Sequence, residues 1–237
     1  MAGEVAMAPA DQVEDRWRPL VRWGAVAAIV VLVMIPLQAA VFLLSPPPTT
    51  VAEYFALFQD NPLLALLDLD LLLTLDYLVM IPFYLALFVL LRRREASLAL
   101  LALTLGLFSL ALFFVSRDAT FSMWQLSTRY QVADDAGRAA LLASGQTLLT
   151  LYNGGTFGLS YLLGAASTLL FSFALLRTQL FGRAAAVVGL VTGVTMLVPP
   201  NTGGVGLVVA MLSLIPTAVW LVLLARGMLR KTQLTSP

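Results

Sequence analysis

The chain has 237 residues, of which 60% are hydrophobic and 11% charged, and its mean hydropathy is +0.91, so it has too little polar surface to coat a water-soluble globule of its size. With no Cys and no His, disulfides, thiolate chemistry, soft-metal sites and the usual proton shuttle are excluded. The net charge of +1 and basic clusters of two or three residues leave no footprint for nucleic acid, and no cofactor or metal motif is evident. What remains is an all-α integral membrane protein whose partner is the lipid bilayer.

Residues 1–22 form a polar N-terminal segment with Glu4, Asp11, Glu14 and Asp15 ahead of its first arginine. The following apolar stretch, Trp23 to Leu44, is long for the core of a cleaved signal peptide and predicts a first span containing Pro36 and Gln38. It closes at Ser45-Pro46-Pro47-Pro48, where prolines cannot continue a helix. Thr50 and Glu53 have capping-box spacing, followed by Val51, Tyr54, Phe55 and Phe58 on one face. That pattern predicts a short helix in the outer interface, with a packed turn of loop as the alternative.

Asp60-Asn61-Pro62 marks the start of a second span, Pro62 to Leu91, whose length of about 45 Å exceeds a hydrocarbon core of about 30 Å. It must tilt, kink at Pro82 or protrude. A third span runs from Ala96 to Val115. The polar connection Ser116 to Gln146 is too short for a core of its own; around Arg117, Asp118, Trp124, Tyr130 and Asp134 it reads as an amphipathic loop, or as a ligand lid or partner face. Asp134-Asp135 can cap a helix that passes Arg138 and continues as span four, Thr147 to Leu176. Span five, Ala184 to Val198, is short, and span six, Gly206 to Leu224, follows a proline- and glycine-rich connection. The expectation is a six-helix transmembrane bundle: a segment 1–22, a membrane domain 23–226 and a tail 227–237.

Charge assigns the sides. Of the 14 basic residues all but Arg117, Arg129 and Arg138 fall at alternate ends of the apolar stretches: Arg16, Arg18 and Arg22; Arg92, Arg93 and Arg94; Arg177 and Arg183; Arg226, Arg230 and Lys231. Loops rich in Lys and Arg resist translocation, so both termini are expected in the cytosol. Trp17, Trp23 and Trp220 then fall near the inner interface, where amphipathic rings are favoured.

Three acids, Asp68, Asp70 and Asp76, lie within span two, and a carboxylate at membrane depth is a functional hypothesis by default. Asp68 and Asp70 are close enough to the helix start to sit among outer headgroups, favoured by the helix dipole, whereas Asp76 is about 21 Å along. Asp70, Thr74, Tyr77 and Tyr84 share one stripe, and Asp76 continues on another as Met80 and Phe83. With no Lys, Arg or His in any predicted span, the expected partners of Asp76 are neutral: Gln38, Thr104 and the span-four seam Asn153, Thr156, Ser160, Gly164 and Ser167. The seam reads as close packing through small residues four apart, or as a polar lining opposite span two. Asp76, Asp70, Tyr77 and Asn153 are the candidate ion or ligand residues.

The stretch from Asp68 through LLLTLDYLVMIPFYLALFVLLRRR, and the later LLFSFALLRTQLFGRAAAVVGLVTGVTMLVPP ahead of a Trp-containing last span, resemble the bacterial family known as domain of unknown function 4386. The resemblance implies a multi-pass inner-membrane protein and transfers no functional residues. Two functional expectations follow from the residues. One is a transporter-like or small-ligand-binding protein with an embedded acid in span two; the other is a non-catalytic scaffold or regulatory subunit working with a membrane-protein partner or as a homo-oligomer. An intramembrane hydrolase is disfavoured, since the embedded acids share one helix and histidine is absent.

Overall fold

At three helix starts the local sequence supplies a side-chain cap. The computed structural model describes residues 14–45, 48–66 and 71–233, and among them there is no strand. A 3₁₀ turn, Asp15–Trp17, leads into α1, Arg18–Leu44, with Pro19 in its first turn where a missing N–H costs nothing. α2, Val51–Asp60, starts from a complete capping box: Glu53 N–H donates to Thr50 Oγ1 at 3.3 Å, and the Glu53 carboxylate accepts from the Thr50 N–H at 3.1 Å. The Asn61 side chain accepts from Leu64 N–H at 3.0 Å to start α3, Pro62–Leu66. α4 spans Leu72–Leu91 and α5 spans Ala96–Val132. Asp134 caps α6, Asp135–Tyr152, by accepting from Gly137 N–H at 2.8 Å. α7, α8 and α9 are Gly155–Thr178, Gly182–Thr195 and Gly204–Gln233. Two left-handed residues, Gln179 at φ +52° and Gly182 at φ +82°, turn α7 directly into α8.

Several expectations change. The described part of the second span is two helices, α3 and α4, with Asp68 and Asp70 outside the described residues. The third span does not stop at Val115: no breaker follows, and α5 continues through Arg117 and Trp124 to Val132. The segment expected as a loop is therefore helix, and the fourth span is α6 and α7, divided at Asn153-Gly154. Five helical stretches, with α6 and α7 taken together, are long and apolar enough to cross a membrane. α8, with 14 residues or about 21 Å, falls short of a hydrocarbon core on its own.

Two apolar cores organise the chain. The larger joins α1, α4, α5, α7, α8 and α9 around Phe83, Leu87, Phe171, Leu175, Trp220 and Leu224. Small residues bring the backbones together. A Cβ on Gly24 would strike the Ala86 Cβ, and one on Gly189 would strike Ser172 and Trp220. The seam on α7 packs against α5 rather than opposite α4: Ser109 donates to the Ser160 carbonyl and Ser167 to the Ala102 carbonyl, both at 2.7 Å. Trp220, expected at an interface, is 2% exposed and meets Phe83 edge-on, while Trp23 is 65% exposed. The smaller core lies at the other end, where α2 and α3 pack Val51, Tyr54, Phe55, Phe58 and Ala65 against Met123 of α5 and Leu149 of α6. The apolar face of α2 is thus satisfied by protein.

The arginine-rich connections share one end of the bundle. Glu14 pairs with Arg16 at 2.6 Å, Arg93 at 2.6 Å and Arg92 at 3.3 Å, tying the start of α1 to the α4–α5 turn. Arg94 donates to the Thr178 carbonyl at 3.2 Å and Arg177 meets Glu95 at 3.3 Å, adding the α7–α8 turn. From this end the bundle loosens: buried residues of α1 stop at Met34 and those of α4 begin only at Phe83. The distal halves of both helices flank open space.

Candidate functional site

A cavity of about 410 Å³ occupies that space, within the range of small-molecule sites. Each surrounding helix contributes to it. Gln38 and Phe42 come from α1, Tyr77 from α4, Phe113 and Arg117 from α5, and Met211 from α9. Tyr152 and Asn153 at the end of α6, Phe157 and Tyr161 of α7, and Asn201 of the α8–α9 connection complete its polar and aromatic end.

Arg117 sits at that end with 5% of its surface exposed. Its guanidinium lies 4.0 Å from the Tyr152 ring centroid, 4.7 Å from Phe157 and 5.1 Å from Phe113. Aromatic faces carry partial negative charge, so this cage lets a cation remain where water is scarce. Its Nε also donates to Ser116 Oγ at 3.2 Å and an Nη to the Tyr152 carbonyl at 3.2 Å. Tyr77 stacks on Phe113, with ring centroids 3.6 Å apart and planes 13° from parallel, extending the aromatic wall toward α4.

The break between α6 and α7 shapes the floor. A helix end leaves carbonyls without intrahelical donors, and in a dry environment these need partners. Arg117 serves the Tyr152 carbonyl, and the Asn201 amide serves those of Asn153 and Gly154 at 2.9 and 3.2 Å. Gly158 makes room for Asn201, since a Cβ there would press on the amide. Side chains from α5 and from the α8–α9 connection thus hold one break open to the cavity.

Tyr77 and Asn153 of the expected residues come together here; Asp76 is not among the lining residues, and Asp70 lies outside the described residues. The Asp76 carboxyl faces Gln38, and its Oδ1 is buried with no hydrogen-bond partner among the described residues. Thr104 is exposed and bonds back to the Leu100 carbonyl at 2.9 Å, so it is not a partner. The Asn153 backbone answers Asn201 instead. Arg117 lies within α5 and not in the amphipathic loop expected for Ser116 to Gln146. Helical continuity was the available signal, because Ser116-Arg117-Asp118-Ala119-Thr120 contains neither glycine nor proline.

The lining offers one guanidinium, three amide side chains, several phenols and a wide apolar wall, a set suited to holding an amphipathic molecule by its polar end. No curated protein and no solved structure matches the chain. A family model does match, over residues 24–231, which takes in α2 to α8 whole and most of α1 and α9. The chain belongs to the family described as "Domain of unknown function (DUF4386)".

Proposed function

We propose that this is a six-crossing inner-membrane protein, with both termini in the cytosol, that binds a small membrane-borne amphiphile in the cavity beneath α2. The topology rests on the shared arginine-rich end: the α7–α8 turn and the last turn of α9 lie there, so α8 and α9 make an out-and-back pair despite the shortness of α8. The bilayer is then the solvent for the exposed apolar faces. Reporter fusions after Arg93 and after Asp134 test it; an outside signal at Arg93 overturns it.

The observation that carries the ligand reading is a caged guanidinium in a cavity whose exposed lining is apolar at Phe42, Leu73, Leu207 and Met211 and polar at Asn153 and Asn201. Such a mouth admits molecules already dissolved in lipid. The polar end favours a headgroup rich in hydrogen-bond acceptors, such as a carboxylate. Binding groups therefore centre on Arg117, Tyr77 and Asn153 rather than on Asp76. The test is titration of a dansyl-labelled C11 fatty acid into the protein in nanodiscs, with unlabelled decanoate as competitor. Saturable binding, weakened at least tenfold by Ala39→Trp, is the expected result. Equal uptake by wild type, Ala39→Trp and empty nanodiscs would discard the ligand reading in favour of a non-catalytic scaffold.

A further inference from the structure

A second cleft lies at the arginine-rich end, where the first turns of α1 meet the last turn of α9. It has a volume of about 680 Å³, and its lining includes Asp15, Arg18, Arg22, Trp23, Thr232 and Gln233. Arg18 and Arg22 are one helical turn apart and so share a face. Asp15 holds one end of Arg18 at 2.8 Å, while the Arg18 Nε is buried with no hydrogen-bond partner among the described residues. Arg22 is exposed, so the cleft carries two guanidiniums against one carboxylate.

The surface leaving the cleft changes character at once. Trp23 stands beside it, largely exposed, and Val26, Ile29, Val30 and Val33 continue along α1 as exposed apolar residues at helical spacing. A basic notch opening onto an apolar stripe matches a phosphodiester carrying acyl chains, with the indole at the boundary between them. We propose that this cleft binds the headgroup of an anionic glycerophospholipid of the cytosolic leaflet, the acyl chains lying along the Val26 to Val33 stripe. The site is independent of the cavity, since α1 contributes its opposite end to each.

Thermal unfolding and native mass spectrometry of the purified protein test this, using phosphatidylglycerol, phosphatidylcholine and soluble glycerol phosphate as probes. Phosphatidylglycerol should raise the unfolding temperature several degrees more than phosphatidylcholine and be retained as discrete bound copies. Glycerol phosphate should do neither; if it matches phosphatidylglycerol, the cleft binds free phosphates and the lipid assignment is wrong. Arg18→Gln with Arg22→Gln should reduce retention at least tenfold, while Arg226→Gln with Arg230→Gln, on exposed α9 positions, should leave it within about twofold. Equal losses in both double variants would mean diffuse surface charge and overturn the proposal. Unchanged retention in the Arg18 and Arg22 variant would overturn it too, and that readout holds even if the variant melts earlier.

Discussion

The Arg117 guanidinium lies 4.0 Å from the centroid of the Tyr152 ring and donates to the carbonyl oxygen of the same residue at 3.2 Å. One side chain of α5 thereby grips both the ring and the backbone at the end of α6. Arg117→Gln keeps some hydrogen bonding and loses the charge over the rings. A desolvated cation–π contact is worth about 2 kcal/mol and a charged hydrogen bond about 1.5–3 kcal/mol. The expected loss is therefore about 2–4 kcal/mol, read by thermal unfolding in detergent, against almost none for the exposed Arg129→Gln. Equal behaviour of the two variants would show that the cage contributes nothing.

Asn201 bridges two carbonyls at the α6–α7 break. Asn201→Ala removes that donor while the Gly154 carbonyl keeps its bond from Gly158 N–H, at a cost of about 0.5–1.5 kcal/mol. Faster amide hydrogen exchange should appear in residues 155–160, the first turns of α7, before any change in α8. Uniform exchange across both helices would argue that the amide is ornamental.

Gly189 lies against Ser172 and Trp220, where α7, α8 and α9 converge. Gly189→Val has to push these helices apart, and overpacking of this kind costs about 1–3 kcal/mol. Tryptophan emission from Trp220 should shift with the lost stability. Gly204→Ala meets nothing and serves as the control.

Outside the spans, a hydrogen bond from Arg93, reinforced by the charge of Arg16, holds the Glu14 carboxyl below its ordinary 4.5. A carboxyl lowered by folding contributes stability above its ordinary value and loses that contribution as pH falls through the lowered one. Acidification below about 4.5 should therefore free the start of α1 from the α4–α5 turn, seen as a widening distance between spin labels on residues 15 and 94. In Glu14→Gln the distance should not respond to acid. A wild-type distance that stays constant until the protein unfolds in acid would contradict the tether.

Asp76 presents a buried oxygen with no partner among the described residues, an arrangement that costs stability. Asp76→Leu should raise the unfolding midpoint by the equivalent of about 1–3 kcal/mol. If stability rises and fatty-acid binding is unchanged, Asp76 lies outside the ligand site, as the cavity lining implies. A fall in stability would mean that the carboxyl is satisfied in the folded protein.

Much of the helical plan was legible in order along the chain. Thr50 with Glu53, Asn61 ahead of Pro62, and Asp134 each cap the helix their spacing announces, because capping is a contact between residues three apart. The small-residue seam on α7 was readable as packing, but not its choice of α5 as partner. Arg117 was misplaced because a charge following twenty apolar residues looks like the end of a span, and only the cage built by α6 and α7 makes its burial tolerable.

Composition, charge alternation and local caps by themselves determined that the chain is helical, apolar enough for a bilayer, and gathered at one end by arginines, since each of these depends on neighbours in sequence. Only the tertiary structure decided where the helices part, that Tyr77, Arg117, Asn153 and Asn201 meet around one cavity, and that Asp76 is not in its lining. These are relations among side chains up to 124 residues apart, from Tyr77 to Asn201, and no periodicity along one chain encodes the distance between two helices.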